Sequence, residues 1–511
     1  MCPLSYLKHA IQNQMRRIGR SRVSKVTAPL LAGTPGQDHR GRNRRSMRLP
    51  VMLASLLLVS VAAKLIVVTP EEFGAVGNGI ANDWWPIVQA LQACTNAVYS
   101  SPASSPNSCK IVFTQTYLSG PLALNSSNTT LQLNTGATLR MLPRKAYLAA
   151  CPTGGCPLVS TPAIGQGPEP CRNIHPNPHL PQESYTVCLS NITITGGGTI
   201  DGNSDWNPNS WWLCARLQLP NCGRRPELLL FQYVERLTVS ELRCTDPPTG
   251  FMRLHGNVHA RVSGLELHAP YLTRNTDGIN VYGGFDTLLE NSVVDNGDDC
   301  VSIVPTGEWI DAGNFCFLDP GNVLCSGGHA VVRNVTCNGG HGLSIGGIRH
   351  GTVSNVTFEN ITATGGQKGS TQGEEAGGGC RIKSRPNSTG TVHAIRYKNM
   401  VFKDVYWPLQ LLGKYCPFPC TQKDGNTSTF FTNISFENIQ GSSSQHSWLS
   451  NATSTTVAQF KCTTVTPCQN ITMKEVVLTD KAGHPGLLEC ENVEDVRIDA
   501  GSSPNACSGQ R

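Results

Sequence analysis

One short phrase recurs along this 511-residue chain and strongly limits the folds open to it. It combines a β-branched residue, a polar residue, an Asn or Gly and alternating apolar residues, as at 352–358 and 431–436. Anchored on its small or polar residue, the phrase occurs at Glu241, Gly264, Asn291, Asn334, Asn355, Asn399, Asn433 and Asn470. The tightest spacings between anchors are 21, 23 and 27 residues.

A period in this range is typical of solenoid proteins, and alternation at every second residue predicts strands. No helix-length segment separates the phrases, which disfavours alternating strand–helix units. We therefore expect an all-β fold, a parallel β-helix whose coils stack about 4.8 Å apart. Its open end needs a cap, and a turn at 73–79 followed by an amphipathic helix over 85–94 is predicted to supply a short N-terminal capping helix.

Three segments interrupt the phrase. Residues 140–225 are rich in Pro, Cys and Trp and are predicted to form loops that wall one side of a cleft. Residues 305–328 and 365–379 are Gly-rich and are predicted to be long loops between coils.

The N-terminal segment calls for a separate interpretation. Residues 1–46 carry many basic residues and one acidic residue, Asp38, and we interpret them as a basic extension upstream of the true start codon. Residues 47–63 have a basic flank, an apolar run and small residues before Lys64, which predicts a signal peptide. Residues 64–511 would then form the catalytic domain. A signal anchor and an organelle transit peptide are the alternatives.

Composition and cysteines favour a secreted globular protein. Charged residues make up 15% of the chain and the net charge is only +6, so neither disorder nor nucleic-acid binding is indicated. Besides Cys2 there are 20 cysteines from Cys94 to Cys507, an even set that suggests disulfides and an oxidising compartment. Four close pairs are predicted to staple loops: Cys151 with Cys156, Cys316 with Cys325, Cys416 with Cys420, and Cys462 with Cys468. No pattern of metal-ligand spacing is present, so we predict no metal site and no cofactor.

Glycosylation signals also fit secretion. Eleven Asn residues lie in Asn-x-Ser/Thr, namely Asn125, Asn128, Asn191, Asn334, Asn355, Asn360, Asn387, Asn426, Asn433, Asn451 and Asn470. The predicted location is extracellular or in the cell wall.

Four segments interrupt the repeat with charge, and they carry the candidate chemistry. They are Asn275-Thr-Asp277-Gly, Gly297-Asp298-Asp299-Cys300, Gly340-His341-Gly342-Leu-Ser344 and Arg381-Ile-Lys383. Asp277 and Asp298 are 21 residues apart, about one coil, and the two later segments follow at about 40-residue intervals. Because a solenoid stacks residues one period apart, we expect all four segments to meet in one patch.

Glycoside hydrolysis needs such a patch. One carboxylic acid protonates the leaving oxygen, and one carboxylate activates water or attacks the sugar. Crowded aspartates raise the pKa of one of their number, and cations such as Arg381 and Lys383 suit a substrate that carries carboxylates. Both aspartates of the adjacent pair can enter the cleft only if the backbone bends, which Gly297 makes easy.

In this order the four segments resemble the signature of the polygalacturonases, glycoside hydrolase family 28. The likeness runs from Phe73-Gly-Ala-Val-Gly through Gly197-Gly-Thr-Ile-Asp201-Gly and on beyond Lys383. It implies a right-handed, single-stranded parallel β-helix that hydrolyses α-1,4-galacturonosyl linkages of pectin with inversion.

The resemblance also implies residue roles. Asp298 would be the general acid, Asp277 and Asp299 would hold and deprotonate water, and His341 would support the acid. Substrate would be bound by Asn275, Arg381, Lys383 and Tyr415, and Cys300 would pair with Cys337. The chain departs from the family pattern at 245–252 and before Gly340, which leaves endo or exo action open.

Four alternatives remain open at this stage. They are a rhamnogalacturonan hydrolase, a xylogalacturonan hydrolase, a pectate lyase that eliminates with Ca²⁺, and a non-catalytic β-helix that adheres to polysaccharide. The predicted partner is a pectic polysaccharide, bound by a monomer that has no nucleic-acid partner and no stable membrane association.

Overall fold

A computed structural model describes residues 63–508, apart from 103, 153, 177, 179–182, 220–221, 307–324, 366–376, 417–425 and 445–454. The predicted basic extension lies outside the described residues, as does the predicted signal peptide up to residue 62. Most of the predicted loops at 305–328 and 365–379 also lie outside them. Those boundaries and loops therefore stay predictions.

The described residues form three short α-helices and many strands. The helices are α1 Trp84–Tyr99, α2 Arg144–Ala150 and α3 Trp211–Arg216. In chain order the strands are β1 Leu65–Val68, β2 Asn78–Asn82, β3 Ser108–Phe113, β4 Thr116–Ser119, β5 Leu122–Ala123, β6 Thr129–Leu133, β7 Thr138–Met141, β8 Val159–Ser160, β9 Arg172–Ile174, β10 Tyr185–Val187, β11 Leu189–Thr195, β12 Thr199–Asp201, β13 Leu229–Gln232, β14 Val234–Thr245, β15 Met252–His255, β16 Arg261–His268, β17 Ile279–Tyr282, β18 Thr287–Asn296, β19 Val301–Val304, β20 Ser326–Gly339, β21 Leu343–His350, β22 Thr352–Thr364, β23 Gly378–Thr389, β24 Thr391–Val405, β25 Trp407–Leu412, β26 Phe430–Ser443, β27 Thr456–Lys461, β28 Gln469–Thr479, β29 Leu487–Glu491, β30 Val496–Ile498 and β31 Cys507–Ser508.

These strands wind into a right-handed parallel β-helix, as the repeat and the resemblance predicted. Over the described residues, 17 strands form one sheet and 12 form a second. We call the first the long-strand sheet; it contains β1–β4, β6, β7, β11 and β12, and then every even-numbered strand from β14 to β30. We call the second the groove sheet; it contains β5, β8 and every odd-numbered strand from β13 to β31. From β13 onward each coil contributes one strand to each sheet, whereas earlier coils contribute two to the long-strand sheet, such as β11 and β12. Every pairing between neighbouring coils is parallel.

The core lies inside the coils. Side chains alternate inward and outward along each strand, and the inward ones stack on their equivalents one coil away. The ring centroids of Phe358 and Tyr397 are 4.9 Å apart and those of Tyr397 and Phe436 are 5.4 Å apart, and in both pairs the ring planes are nearly parallel. This stacking explains why the phrase repeats aromatic or β-branched residues at equivalent positions.

Two rows of left-handed residues run along the long-strand sheet, and they correct the anchors of the repeat. The register aligns Asn291 and Asn334 with Asn360, not with Asn355. One row contains Glu241, Gly264, Asn291, Asn334, Asn360, Asn399, Asn438 and Glu475, and the other contains Arg236, His259, Asp286, His329, Asn355, Ala394, Asn433, Asn470 and Asp495; all have positive φ. The 21-residue spacing was wrong because it joined Asn334 of one row to Asn355 of the other. Both rows favour Asn, the residue that best tolerates this conformation after Gly.

The first row carries a ladder of side-chain amides. Asn334 Nδ2 donates to Asn291 Oδ1 at 3.1 Å, and Asn360 Nδ2 donates to Asn334 Oδ1 at 3.2 Å. The ladder continues from Asn399 to Asn360 at 3.0 Å and from Asn438 to Asn399 at 2.9 Å. Each amide is therefore paired by an identical neighbour one coil away.

The predicted capping helix is present as α1, which packs on β1, β3 and β4 and buries Ile87 and Leu91. A disulfide joins Cys94 of the helix to Cys109 of β3. The prediction that 140–225 is all loop was wrong. β11 and β12 lie in this segment and pair in parallel with β6, β7 and β14. The sequence pattern did not reveal them because their alternating runs are short and are surrounded by Pro and Cys.

Cysteine pairing matches the sequence prediction only in part. Cys151 pairs with Cys156 and Cys462 with Cys468, as predicted, and Cys300 pairs with Cys337, as the resemblance implied. The even set is not fully paired, however, because Cys244 and Cys380 are buried free thiols. Both lie on strands whose inward side chains fill the core. The remaining two predicted staples each include a cysteine outside the described residues.

None of the helices described is long and apolar enough to cross a lipid bilayer.

Candidate active site

The four charged segments meet at the corner where the long-strand sheet passes into the groove sheet. Three of them are the turns that precede β17, β19 and β21, and the fourth lies within β23. Ile279 pairs with Val301, and Val301 pairs with Leu343. Two positions before these residues, Asp277, Asp299 and His341 therefore stack on successive coils. The one-coil partner of Asp277 is Asp299, 22 residues on, rather than Asp298.

The paired aspartates face one histidine. His341 Nδ1 lies 3.0 Å from Asp298 Oδ1 and 3.8 Å from Asp299 Oδ1. The backbone N–H of Asp299 donates to Asp298 Oδ1 at 2.9 Å. Both carboxylates thus turn toward the same side of the chain, which requires the predicted bend.

The glycine at this bend is needed for a different reason from the one predicted. Gly297 is not in the left-handed region; instead, a Cβ on it would lie 2.1 Å from the carbonyl oxygen of Thr273. The preceding coil therefore packs directly against this backbone. Any side chain here would push the two coils, and the aspartates they carry, apart.

Asp299 is the most enclosed carboxylate of the three. Its Oδ1 accepts a hydrogen bond from Ser344 Oγ at 2.7 Å, and its Oδ2 forms an ion pair with Lys383 Nζ at 2.7 Å. Lys383 and Asp299 are both buried, so this pair lies largely out of water. Lys383 therefore has a carboxylate partner within the protein besides any substrate carboxylate.

Arg381 and Lys383 lie on the same face of β23, as their spacing predicted. The ring of Tyr415 lies 4.8 Å from the guanidinium carbon of Arg381 and 5.2 Å from Lys383 Nζ. Arg385 joins them at 5.4 Å from the ring. The site thus has a cationic side, held together by one aromatic ring, on the coils that follow the carboxylates.

The environment separates the pKa values of the carboxyl groups. Burial raises the pKa of Asp277 well above its ordinary value, and the negative charges of Asp298 and Asp299 add to this, against a hydrogen bond from Asn280 and the charge of Lys383. Burial also acts to raise the pKa of Asp298, but the charge and hydrogen bond of His341, with Lys383, lower it overall. In the free site, therefore, the proton shared by these coupled groups favours Asp277.

Asn275 is the one predicted site residue that is well exposed. It adopts a left-handed conformation with φ of 59°, and its Nδ2 lies 3.4 Å from Asp298 Oδ2. Its Oδ1 accepts a hydrogen bond from Arg225, which lies outside the four segments. The structure thus brings all eight predicted site residues into one region.

Sequence reasoning assigned no role to Arg225, Asn280 or Ser344. The last two belong to a row of outward positions on the groove sheet, aligned by register: Arg253, Asn280, Ser302, Ser344, Arg381, Gln410 and Gln459. Polar residues at the second position of otherwise apolar strands were the signal that could have found this row. Arg225 offered no such signal because it lies in an irregular segment.

One group here has the composition of a metal site. The ligand atoms of Asp298, Asp299 and His341 all lie within 4.8 Å of one another. The ammonium group of Lys383 lies 2.7 Å from Asp299 Oδ2, however, and a dication bound here would be repelled by it. The donor set fits acid–base work better than metal binding.

Comparison with known proteins, like the geometry of the site, indicates a glycoside hydrolase. The family model described as Glycosyl hydrolases family 28 matches residues 184–507. The chain is 28% identical over 312 residues to Polygalacturonase-2 of Solanum lycopersicum, and the aligned residues cover 60% of this chain and 59% of that protein. It is 27% identical over 309 residues to a polygalacturonase of Persea americana, and the aligned residues cover 60% of this chain and 58% of that protein. The chain thus matches about three fifths of the length of these curated relatives.

A solved structure matches more of the chain. The endo-xylogalacturonan hydrolase from Aspergillus tubingensis aligns with a TM-score of 0.60 at 20% identity, covering 86% of this chain and 100% of that one. At this level of identity the match supports the fold and not the specificity.

Proposed function

The chain belongs to family 28 of the glycoside hydrolases, and from that premise we propose that it hydrolyses α-1,4-galacturonosyl linkages of pectic polygalacturonate with inversion. The observation that carries the proposal is the stacking of Asp277, Asp299 and His341 on successive coils, with Asp298 beside them. Directly next to these groups lie Arg381 and Lys383, two cations on the same strand face. A substrate with a carboxylate on every sugar suits that arrangement.

In the proposed reaction, Asp298 donates a proton to the glycosidic oxygen as the bond from that oxygen to the anomeric carbon breaks. Water held by Asp277 and Asp299 attacks the anomeric carbon from the opposite face and loses a proton to one of them. His341 Nδ1, 3.0 Å from Asp298 Oδ1, can share a proton with the acid and return it after each turnover.

The pKa shifts in the free site oppose this assignment of roles, because they favour a proton on Asp277 rather than on Asp298. Binding of a uronate changes the balance. Its negative charge compensates Arg381 and Lys383, and because Lys383 lowers the pKa of both Asp277 and Asp298, both pKa values rise. The proposed roles therefore require that substrate raise the pKa of Asp298 more than that of Asp277, so that the proton lies on Asp298 and Asp277 is free to accept a proton from water.

The setting of this reaction is proposed to be extracellular, in the cell wall. Seven disulfides lie within the described residues, a number typical of a protein that folds in an oxidising compartment. The pectic polysaccharide is the proposed partner.

The test is product analysis on defined substrates. The purified protein is incubated with polygalacturonate, xylogalacturonan and rhamnogalacturonan, and the release of reducing ends is measured. We expect the fastest release from polygalacturonate, with a product of inverted anomeric configuration by NMR. Faster release from either branched or alternating polymer would replace the proposed substrate, and an unsaturated uronide would replace hydrolysis with elimination.

A matched pair of variants tests the catalytic assignment. Asp298→Asn is expected to lower turnover by about 10³-fold or more, because the acid is lost. Asp495→Asn makes the same change at an exposed left-handed position where Asn is common, and is expected to leave activity unchanged. Equal hydrolytic activity in both variants would overturn the role of Asp298, whereas polysaccharide binding without hydrolysis by the wild type and both variants would favour a non-catalytic binding protein.

A further inference from the structure

Arg225 contacts the candidate active site from outside the coils. It lies in the irregular segment between α3 and β13, after the disulfide that joins Cys214 to Cys222. The same region is anchored by Trp212, whose Nε1 donates to the carbonyl oxygen of Pro247 at 2.8 Å. Arg225 is thus held in place by a stapled wall of the cleft and not by a strand.

The guanidinium group of Arg225 joins two turns of neighbouring coils. One terminal nitrogen donates to the carbonyl oxygens of Pro248 at 3.0 Å and Arg274 at 2.8 Å. The other donates to Asn275 Oδ1 at 2.7 Å. Three of its five N–H groups are therefore used on the turns before β15 and β17, which leaves it poorly placed to form a two-point contact with a substrate carboxylate.

This contact determines which way the Asn275 amide faces. A guanidinium has no acceptor, so Asn275 must turn its oxygen toward Arg225 and its NH₂ group away. That NH₂ group lies 3.4 Å from Asp298 Oδ2. With the opposite orientation, an oxygen would face the Asp298 carboxylate and repel it.

The backbone of Asn275 is held as well. Thr249 Oγ1 donates to the carbonyl oxygen of Asn275 at 2.9 Å, and the residue adopts a left-handed φ of 59°. An exposed asparagine in a turn would otherwise sample several rotamers. The backbone contact holds the turn, whereas Arg225 selects the orientation of the side chain.

Charge supports the same role. Arg225 lies close enough to Asp277 and Asp298 for both carboxylates to act on its pKa, which burial lowers and which their charges raise. By the same interaction, the cation of Arg225 favours the ionised forms of both aspartates.

We propose that Arg225 is a positioning residue for the reaction, which orients the Asn275 amide and through it the Asp298 carboxylate. The inference rests on the proposed hydrolysis and extends it to a residue that touches neither the reacting bond nor the water. It also predicts that Arg225 and Asn275 act as one unit.

The experiment is a double-mutant cycle on polygalacturonate with Arg225→Gln and Asn275→Ala. Arg225→Gln is expected to lower kcat by about 10–100-fold while KM changes by less than about threefold, because orientation and not substrate binding is lost. With kcat taken at the optimum pH of each variant, so that the direct charge effect of Arg225 does not enter, the double variant is expected to be no slower than Asn275→Ala alone. Effects that multiply, or a loss confined to KM, would overturn the proposal.

Two further variants separate charge from geometry. Arg225→Lys keeps the cation but cannot reach three acceptors, so we expect the pH profile of the wild type with a kcat that recovers only in part. Arg225→Gln removes the cation, so the pKa values seen in its pH profile should rise. A pH profile of Arg225→Gln that matches the wild type would count against the proposal.

Controls keep the result interpretable. Arg243→Gln makes the same change on an exposed outward position of β14, on the other sheet, and is expected to leave kcat unchanged. Thermal unfolding of each variant identifies loss of the fold, and in that case Arg225→Lys carries the test. A wild type that hydrolyses no polygalacturonate would overturn the proposed function, whereas wild-type activity with additive variants would overturn only the role of Arg225.

Discussion

The amide ladder and the carboxylate site use the same geometry with opposite energetic results. In the ladder, Asn291, Asn334 and Asn360 stack one coil apart, and each NH₂ group meets the oxygen of the next. In the site, Asp277 and Asp299 also stack one coil apart, but two carboxylates present only acceptors and like charges. The ladder is satisfied by its own members, whereas the site needs Lys383 and other partners from neighbouring strands.

The difference shows how a regular solenoid can support a reactive centre. Stacking brings equivalent positions close together on every coil whatever their chemistry. Amides at those positions stabilise the coil, and acids at those positions raise the pKa of one member. The site therefore costs stability in the folded protein, and the ladder is one of the features that offset this cost.

The largest expected effect comes from turning a site carboxylate into a ladder-like amide. Asp277→Asn should lower kcat by about 10³-fold or more, because a group that holds and deprotonates water is lost. The same change should raise the free energy of unfolding at pH 7 by about 0.5–2 kcal/mol, because the wild type must either bury a charge beside Asp298 and Asp299 or take up a proton at Asp277, and the amide avoids both.

The sign of the stability change depends on pH. Because the folded-state pKa of Asp277 is raised, the wild type loses stability as the pH rises from the ordinary aspartate pKa of 3.8 toward that higher pKa, and the variant does not. The advantage of Asp277→Asn should therefore disappear at or below about pH 4. Denaturant unfolding at several pH values measures it, and a variant that is less stable than the wild type at pH 7 would break the comparison.

The ladder should respond in the opposite way. Asn360→Ala should lower the free energy of unfolding by about 2–3 kcal/mol, because it removes two amide hydrogen bonds. It also places an alanine, which tolerates the left-handed conformation less well than asparagine, at a φ of 56°. Activity at temperatures well below unfolding should be unchanged.

A glycine at the same position provides the control. Asn360→Gly loses the hydrogen bonds but tolerates the left-handed backbone, so it should be destabilised by about 1 kcal/mol less than Asn360→Ala. Denaturant unfolding and reducing-end release give the two readouts. A fall in kcat for either variant, with the fold intact, would show that ladder and site are coupled.

The sequence was sufficient for the fold class and for the grouping of most candidate site residues, for a physical reason. Stacked positions recur in the sequence at the period of one coil. Both the coils and the clustering of Asp277, Asp298, His341 and Lys383 could therefore be expected. The two left-handed rows lie five residues apart on each coil and both favour Asn, so the sequence alone could not separate Asn355 from Asn360. That ambiguity produced the wrong anchors.

What could not be predicted depends on contacts without a period. Arg225 reaches Asn275 across 50 residues from an irregular segment, and no spacing rule connects them. Cys244 and Cys380 look like the other cysteines in the sequence, yet both point into the core, where they pack as small apolar groups. The direction in which the pKa of Asp277 shifts could be predicted only from the positions of Asn280, Lys383 and both other aspartates together.

The smallest effect tests whether the second left-handed row is also tuned by stacking. Ala394 lies in this row between Asn355 and Asn433 with a φ of 56°, a conformation that costs an alanine about 1–2 kcal/mol. Ala394→Gly should remove that cost but make the unfolded chain more flexible, so the free energy of unfolding should rise by a net amount of about 0.5–1 kcal/mol, and Ala394→Asn should raise it by a similar amount.

Matched substitutions at Ala363, a buried core position of β22 on the same sheet, should instead destabilise the protein, since no left-handed strain is relieved there. Because the row lies far along each coil from the carboxylates, kcat should stay at the wild-type value in both Ala394 variants. Unfolding midpoints that do not move, or that fall, would mean that the row is set by backbone packing between coils and not by the left-handed preference of its residues.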